Sequence, residues 1–408
     1  MKILIYSHFY FPEVGAASLR MQYFVKTLER DANEIRIITP LPNYPHGKIY
    51  KGFSKFFHKD DKRNIIYLPL YLPKKHSVLK RGVSYLSYLL TSFFYTLFSK
   101  FKPDIIITSS PPLSTAFGAA LISKIKKSKF ILDLRDIWPD IGIELGLLKK
   151  TFIINRLKQI ELFLLNRASF IVVTAKGDNE NLLRKGVKEK KINIIYNGAD
   201  IGIFKPLNAT EICEIKVKYN LPEDRIILIY FGSFNYGMND IELLGNVLSE
   251  MGNYREKILF VAVGNGDNKN DFLKKIKDKI EIQHYDSLDS IDLAQLIAAS
   301  DISLIPRKGI KHDTGGNTPV KCFESWASDI PVLLSANKES EIARIFKECN
   351  AGMFVNPNDV EEYKSALIKM ITNNELKNLG LKGRQYVEDN FDRRKQSEIL
   401  YSLIQKLY

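Results

Sequence analysis

Cysteine is scarce in this chain: three residues in 408, Cys213, Cys322 and Cys349. Three thiols at these spacings exclude a disulfide framework and match no zinc motif. So few cysteines point to a reducing compartment, the cytosol. Long apolar runs are missing as well. The N-terminal stretch MKILIYSHFYFPEVG has too short an apolar run for a secretory leader and no small-residue cleavage site, so no signal peptide is expected. No internal repeat or low-complexity tract stands out. Apolar residues at 45% and charged residues at 26% are ordinary globular values, which excludes a disordered chain. At roughly 150 residues per domain, the length leaves room for two or three domains.

Negative charge is in deficit, but only in one half. Residues 1–200 hold 33 Lys and Arg against 16 Asp and Glu, a balance of +17; residues 201–408 hold 27 against 30, a balance of −3. A generally lysine-rich composition would load both halves alike. The asymmetry predicts an anionic partner for the first half, either nucleic acid or a membrane surface. The excess is densest over residues 48–102, where twelve basic residues face only Asp60 and Asp61, with Phe53, Phe56 and Phe57 interleaved. Residues 82–99 inside this stretch carry no charge, yet are too short and too rich in hydroxyls to span a bilayer. Leu86, Leu89, Leu90, Phe93, Phe94, Leu97 and Phe98 form one stripe of an amphipathic helix, opposite Ser87, Tyr88, Thr91, Ser92, Tyr95 and Thr96. The apolar stripe is expected to pack on the core of the first domain, and the cationic surface around it to face anionic lipid.

Apolar runs of strand length fall at 2–6, 34–39, 65–68, 105–108, 130–134, 170–174 and 192–196, then at 226–231, 258–263, 280–284, 302–306, 332–335 and 352–355. Helical patterns separate most of them, and continuous apolar strands alternating with helices predict parallel sheets covered on both faces. Residues 197–207, NGADIGIFKPL, read as a linker. The expected fold is α/β, with two doubly wound domains at 1–200 and 205–390 facing across a cleft at the carboxyl ends of their strands. Residues 391–408 read as one more helix.

Three loops at strand ends carry candidate chemistry. In 8–18, HFYFPEVGAAS, Gly15 and Ala16 let backbone approach a ligand at a helix N-terminus that favours an anion. This is no GxGxxG, and no acidic residue stands at the distance a nicotinamide site needs. In 130–140, FILDLRDIWPD, the cluster Asp133, Arg135, Asp136 and Asp140 around Trp138 is costly at a strand end unless it binds, catalyses or forms an Asp–Arg pair. In 312–324, HDTGGNTPVKCFE, Gly315 to Thr318 present backbone amides and Pro319 suits a first turn. Lys321 and Glu324, three apart, share a helix face near the anion-attracting end. A carboxylate there can accept ribose hydroxyls while amides and lysine hold a diphosphate; a solvated Lys–Glu pair is the alternative.

These residues carry a resemblance. FYFPEVGAAS at 9–18, LPNYPHGKIYKGF at 41–53, SPPL at 110–113, LRDIWPDIGIELGLL at 134–148, IIYNGADIGIF at 194–204, VGNGD at 263–267, ASDISLIP at 299–306 and PVKCFESWASDIPVLLSA at 319–336 occur in the order found in family 4 glycosyltransferases. The chain resembles that family's retaining GT-B enzymes, and among them the bacterial O-antigen, capsule and colanic-acid subgroup that includes N-acetylfucosamine transferases. The resemblance implies a nucleotide-diphosphate sugar donor, UDP-linked, and a polyprenyl-diphosphate-linked saccharide acceptor, with no bound metal and no other cofactor. It places Gly15 and Ala16 at the donor diphosphate, Glu324 on the donor ribose, Asn317, Thr318 and Val320 at the phosphates, and Tyr285 at the base. Gly232 and Ser233 open a further donor loop. Arg135, Asp136 and Lys321 are the candidates for catalytic contacts to acceptor and leaving group.

Two departures from the family pattern stand out. Gly316 replaces the first glutamate of the E-x7-E motif, and the loop GSFNYGMND after strand 226–231 lacks the lysine that usually contacts the donor phosphate. Lys321 is the expected substitute. Cysteine usage and the charge asymmetry together predict a cytoplasmic enzyme, peripheral on the inner face of the cell membrane, and the resemblance implies that the last helix, 391–408, crosses back to the first domain. Two other readings remain beside it: a nucleotide-sugar 2-epimerase sharing the fold, and a non-catalytic basic protein that binds membrane or nucleic acid. No recognisable nucleic-acid module contains the aromatics of 48–102.

Overall fold

The computed structural model describes residues 1–408 apart from 45–46, 55, 74–77, 236, 310–317, 374 and 408. The chain divides into two compact units: Met1–Asn197 with Arg394–Tyr408, and Gly198–Arg393.

In the first unit the chain runs β1 (Lys2–Tyr6), α1 (Ala16–Leu28), β2 (Glu34–Pro40), β3 (His58–Asp60), β4 (Ile65–Leu68), α2 (Val78–Phe98), β5 (Ile105–Ser110), α3 (Leu113–Ile125), β6 (Lys129–Leu134), α4 (Asp140–Glu144), α5 (Thr151–Arg167), β7 (Phe170–Val173), α6 (Lys176–Arg184) and β8 (Ile192–Ile194). The strands lie in the order β3-β4-β2-β1-β5-β6-β7-β8. Only β3 is antiparallel to its neighbour. The sequence did not announce β3: its three residues, His-Lys-Asp, show no apolar alternation, and pairing with β4 alone makes it a strand. Along β1, Ile3 and Ile5 enter the core beneath α1, whereas Leu4 and Tyr6 enter the core beneath α2, α3 and α5. Burial on both faces explains why such strands read as unbroken apolar runs.

The second unit runs α7 (Ala209–Lys218), β9 (Ile226–Phe231), α8 (Ile241–Ser249), β10 (Ile258–Val263), α9 (Lys269–Ile276), β11 (Glu281–Tyr285), α10 (Ser290–Ala298), β12 (Ile302–Pro306), α11 (Val320–Ala327), β13 (Val332–Ser335), α12 (Glu341–Cys349), β14 (Gly352–Val355), α13 (Val360–Ile371) and α14 (Leu376–Asn390). Its sheet has the order β11-β10-β9-β12-β13-β14 and is parallel throughout. The closing helix, α15 (Arg393–Leu407), packs Leu400 and Ile404 into the first unit's core with Ile3, Ile5 and Met21.

α2 reverses the expected orientation. Ser84, Tyr88, Ser92 and Thr96 are buried against the sheet, while Leu86, Leu90, Phe94 and Phe98 are exposed, Phe98 by 80%. Leu89, Phe93 and Leu97 lie half-buried between the two stripes. Hydrogen bonds explain the choice. Tyr88 donates to the Ile38 carbonyl at 3.0 Å, Tyr6 donates to the Ser92 carbonyl at 3.1 Å and to Thr96 Oγ1, and the Ser92 and Thr96 hydroxyls back-bond to their own helix. A hydroxyl face whose donors are all satisfied can be buried at little cost, so the apolar face is left outside.

Asp133, at the end of β6, is paired from α1 and not by its neighbour Arg135. Arg20 reaches its carboxylate at 2.8 and 3.0 Å, and also donates to the Tyr196 carbonyl at 3.2 Å. Both members of the pair are almost fully buried. Removing one partner strands the other charge, so Arg20→Ala is expected to lower the unfolding free energy of the protein by about 3–5 kcal/mol. Denaturant titration measures this, and a loss below about 1 kcal/mol would mean that water reaches the pair.

Candidate functional site

In each sheet the strand order reverses at one place, beside β1 in the first unit and beside β9 in the second, and ligands of open α/β sheets bind beyond the carboxyl ends of strands at such points.

In the second unit the loops after β9 and β12 are tied together there. Asp240 donates its amide to the Pro306 carbonyl and Lys308 to the Met238 carbonyl, both at 3.0 Å, and Asn239 bridges Arg307. Lys321, on the first turn of α11, lies across this junction. Its Nζ stands 3.3 Å from Asn239 Oδ1 and 4.6 Å from the centre of the Tyr230 ring. It also lies against Gly232, where a Cβ would come within 2.4 Å of Cε and Nζ. The β9 loop, which has no lysine of its own, is thus approached by an ammonium from the first turn of α11. Burial, reinforced by the nearby Arg307 guanidinium, pushes the Lys321 pKa down to about 8.

Arg307 is a residue that sequence reasoning passed over. It is buried directly after β12, its backbone held by Ser335. A basic residue on the first position past a strand's carboxyl end was the available signal. Thr318 is buried with its hydroxyl unpartnered, one residue before the N-cap of α11. Val320 opens the helix and is half-buried. Glu324 is buried one turn further on, its carboxylate 3.7 Å from the Arg393 guanidinium. Burial raises its pKa, while Arg393 and then Lys321 hold it back. The Lys321–Glu324 pair is therefore no solvated surface pair. Two buried cations, a helix N-terminus and one carboxylate make an arrangement able to hold an anion with a vicinal diol beside it.

Ser233 follows Gly232, and its carbonyl accepts from Tyr230 Oη at 2.7 Å and Asn239 Nδ2 at 3.1 Å. Tyr285 ends β11 instead of following it; its ring meets Tyr219 edge-on at 5.9 Å and its carbonyl accepts from the Gly264 amide at 2.8 Å. Asn317, with Gly315 and Gly316, lies outside the described residues.

The remaining candidates belong to the first unit. Gly15 caps α1 without a side-chain cap, and Ala16, the first residue of the helix, is exposed, so the helix N-terminus is open. Arg135 follows β6, with Nε donating to Ser109 Oγ and Nη2 to the Pro111 carbonyl, both at 2.9 Å. Burial lowers its pKa, against the raising fields of Asp136 and Asp133. Among the described residues no group of three His, Cys, Asp or Glu could hold a metal ion, and no helix is long and apolar enough to cross a membrane.

Gly232 adopts φ +131, a conformation that strains any other residue. Gly232→Ala is expected to cost about 1–3 kcal/mol and to drive Lys321 out of its seat, so that its ammonium titrates nearer the ordinary lysine range. Denaturant unfolding and an NMR titration of Lys321 check the two effects; an unchanged pKa would mean that Lys321 is not held by this loop.

The model of the glycosyl transferase 4-like domain matches residues 15–198, and that of glycosyl transferases group 1 matches residues 225–373. The Escherichia coli K12 protein named as a colanic acid biosynthesis glycosyl transferase, WcaI, is 26% identical over 322 residues, which are 76% of this chain and 77% of WcaI. Among solved structures, sucrose-phosphate synthase from Thermosynechococcus elongatus aligns over 100% of this chain and 98% of its own, with TM-score 0.74 and 15% identity. Anabaena HepE in complex with UDP aligns over 100% of both chains, with TM-score 0.67 and 14% identity. With one glycosyl transferase model on each of its two parallel-sheet units, the chain belongs to the glycosyltransferases of the GT-B fold, family 4.

Proposed function

We propose that the protein transfers a sugar, with retention at the anomeric carbon, from a UDP-sugar to a lipid-linked saccharide acceptor in bacterial surface polysaccharide assembly. The observation that carries the donor half is the meeting of Lys321 and Arg307 with Glu324 at the ends of β9 and β12. HepE, of the same fold, is crystallised with UDP, and WcaI is named for a surface polysaccharide, which supports both halves of the reading.

In this reading the α11 N-terminus and Lys321 balance the diphosphate charge, and the Glu324 carboxylate accepts the ribose hydroxyls. As the bond from the anomeric carbon to the β-phosphate oxygen breaks, charge grows on that phosphate, and the ammonium and helix end stabilise it. The acceptor hydroxyl bonds to the same face of the carbon and passes its proton to the departing phosphate. No protein nucleophile is required. Arg135 and Asp136 are the proposed contacts to the acceptor or leaving group.

UDP should raise the melting temperature of the protein, and EDTA should leave that shift intact; loss of the shift on chelation would overturn diphosphate binding without a metal. Glu324→Ala should weaken UDP binding by about 1.5–3 kcal/mol, the worth of hydrogen bonds to a charged group. Lys321 is charged below a pKa of about 8, so UDP affinity should fall as pH rises through that value. Calorimetry in a pH series checks this, and Lys321→Met should remove the alkaline fall.

The proposed acceptor sits in a membrane, and α2 supports docking there. Leu86, Leu90, Phe94 and Phe98 form an exposed apolar row, and Phe56, on the neighbouring basic stretch, is 79% exposed. An apolar row beside cationic residues fits an anionic bilayer surface. Leu90→Ser, Phe94→Ser and Phe98→Ser together should reduce co-sedimentation with phosphatidylglycerol vesicles and leave UDP affinity unchanged. Equal sedimentation of variant and wild type would overturn the docking.

A further inference from the structure

We infer that Arg393 is a positioning residue for donor binding: its guanidinium bridges the Glu324 carboxylate to the carbonyl of Gly198 and so holds that carboxylate in place for the donor's ribose hydroxyls. This rests on the proposal that Glu324 takes the ribose.

Arg393 is the last residue of the second unit and Gly198 the first. The two ends run side by side. The Ala199 amide donates to the Phe391 carbonyl and the Arg393 amide to the Ala199 carbonyl, each at 2.9 Å, forming a short parallel bridge at Ala199 and Asp392. Only glycine permits so close a passage: Gly198 has φ +58, and a Cβ there would lie 2.1 Å from the Phe391 oxygen. From this paired backbone two side chains reach α11. Phe391 stacks on Phe323 with ring centres 4.4 Å apart and planes 18° apart. Arg393 Nη2 donates to the Gly198 carbonyl at 2.9 Å and stands 3.7 Å from Glu324 Oε1. At the far end of the helix Arg384 Nη1 donates to the Ala327 carbonyl at 2.6 Å. Helix α11 is held at its middle and at its C-terminal end, and the hold includes the carboxylate.

The geometry suits a positioning role. At 3.7 Å the guanidinium balances the charge of the carboxylate from the long end of the ion-pair range, and the several lone pairs of a carboxylate leave acceptors for two hydroxyls. Both Arg393 and Glu324 are buried, and a buried carboxylate without a counter-charge takes up a proton. The charged groups bearing on Glu324 are Arg393 and Lys321. Without Arg393 the lysine alone remains among the described cations that act on Glu324, and Glu324 titrates at a higher pH. A protonated Glu324 would present a hydroxyl where the ribose offers donors. Lysine in place of Arg393 keeps the charge but lacks the planar fork that serves Gly198 and Glu324 together.

UDP binding by calorimetry between about pH 5.5 and 8 tests this, with Glu324→Gln recording whatever titration the nucleotide itself contributes. Relative to that variant, wild type should lose affinity as pH falls through the Glu324 titration. In Arg393→Gln the loss should begin at higher pH, and affinity at neutral pH should drop about tenfold. Arg393→Lys should keep the wild-type pH of the fall with an intermediate affinity. The double variant Glu324→Gln/Arg393→Gln should bind no worse than Glu324→Gln alone. A wild-type acid profile in Arg393→Gln, or independent losses in the double variant, would overturn the inference while leaving Glu324 as the ribose contact. If Arg393→Gln fails to fold, Arg393→Lys decides, and wild-type affinity in it would overturn the role. Wild-type binding by Glu324→Gln, or no binding of UDP by the wild type, would instead remove the donor reading and this inference with it.

Discussion

Charge buried at the carboxyl ends of parallel strands is expensive, and how each unit meets that expense shapes the rest of the molecule. A parallel sheet covered on both faces has no solvated side on which a charged residue can rest. Any ion at its strand ends must find a partner in the same unit or be neutralised by a ligand. In the first unit the cost is met internally. Asp133 is closed off by Arg20, which also holds the backbone at Tyr196, where the chain is about to leave the sheet.

The second unit answers differently. Lys321 and Arg307 converge at the ends of β9 and β12, and Glu324 opposes them with Arg393 on its own far side. The low pKa of Lys321 records first its burial and then the field of Arg307, which together make an uncompensated cation costly here. An anion that arrives with its own hydroxyls relieves that cost.

Helix α2 shows how hydrogen bonding can overrule hydropathy. Its hydroxyl face is buried because Tyr88 and Ser92 meet groups of β2 and β1 at bonding distance, and because Ser92 and Thr96 satisfy themselves on their own helix. The apolar face that periodicity assigned to the core is consequently left on the surface. The proposed docking rests on that exposure and not on charge alone.

Much of the architecture was legible in the amino-acid sequence. Apolar runs bounded by turn residues mark strands such as β9, β10 and β12 because burial on two faces leaves no polar position in them, and the spacing of Lys321 and Glu324 put both on one helix face beside a turn rich in glycine. Three features were decided by tertiary structure alone. That Asp133 pairs with Arg20, 113 residues earlier in the chain, depends on the fold bringing α1 within reach of the end of β6. That Arg307 and Arg393 join the Lys321–Glu324 pair depends on three segments meeting: the end of β12, α11 and the start of α15. Which face of α2 turns inward depends on the Ile38 carbonyl and the Tyr6 hydroxyl, on strands far away in the sequence. Periodicity reports how residues are arranged around one element; whether a charge or a hydroxyl there is costly depends on the partner that a distant element brings, and only the folded chain supplies that partner.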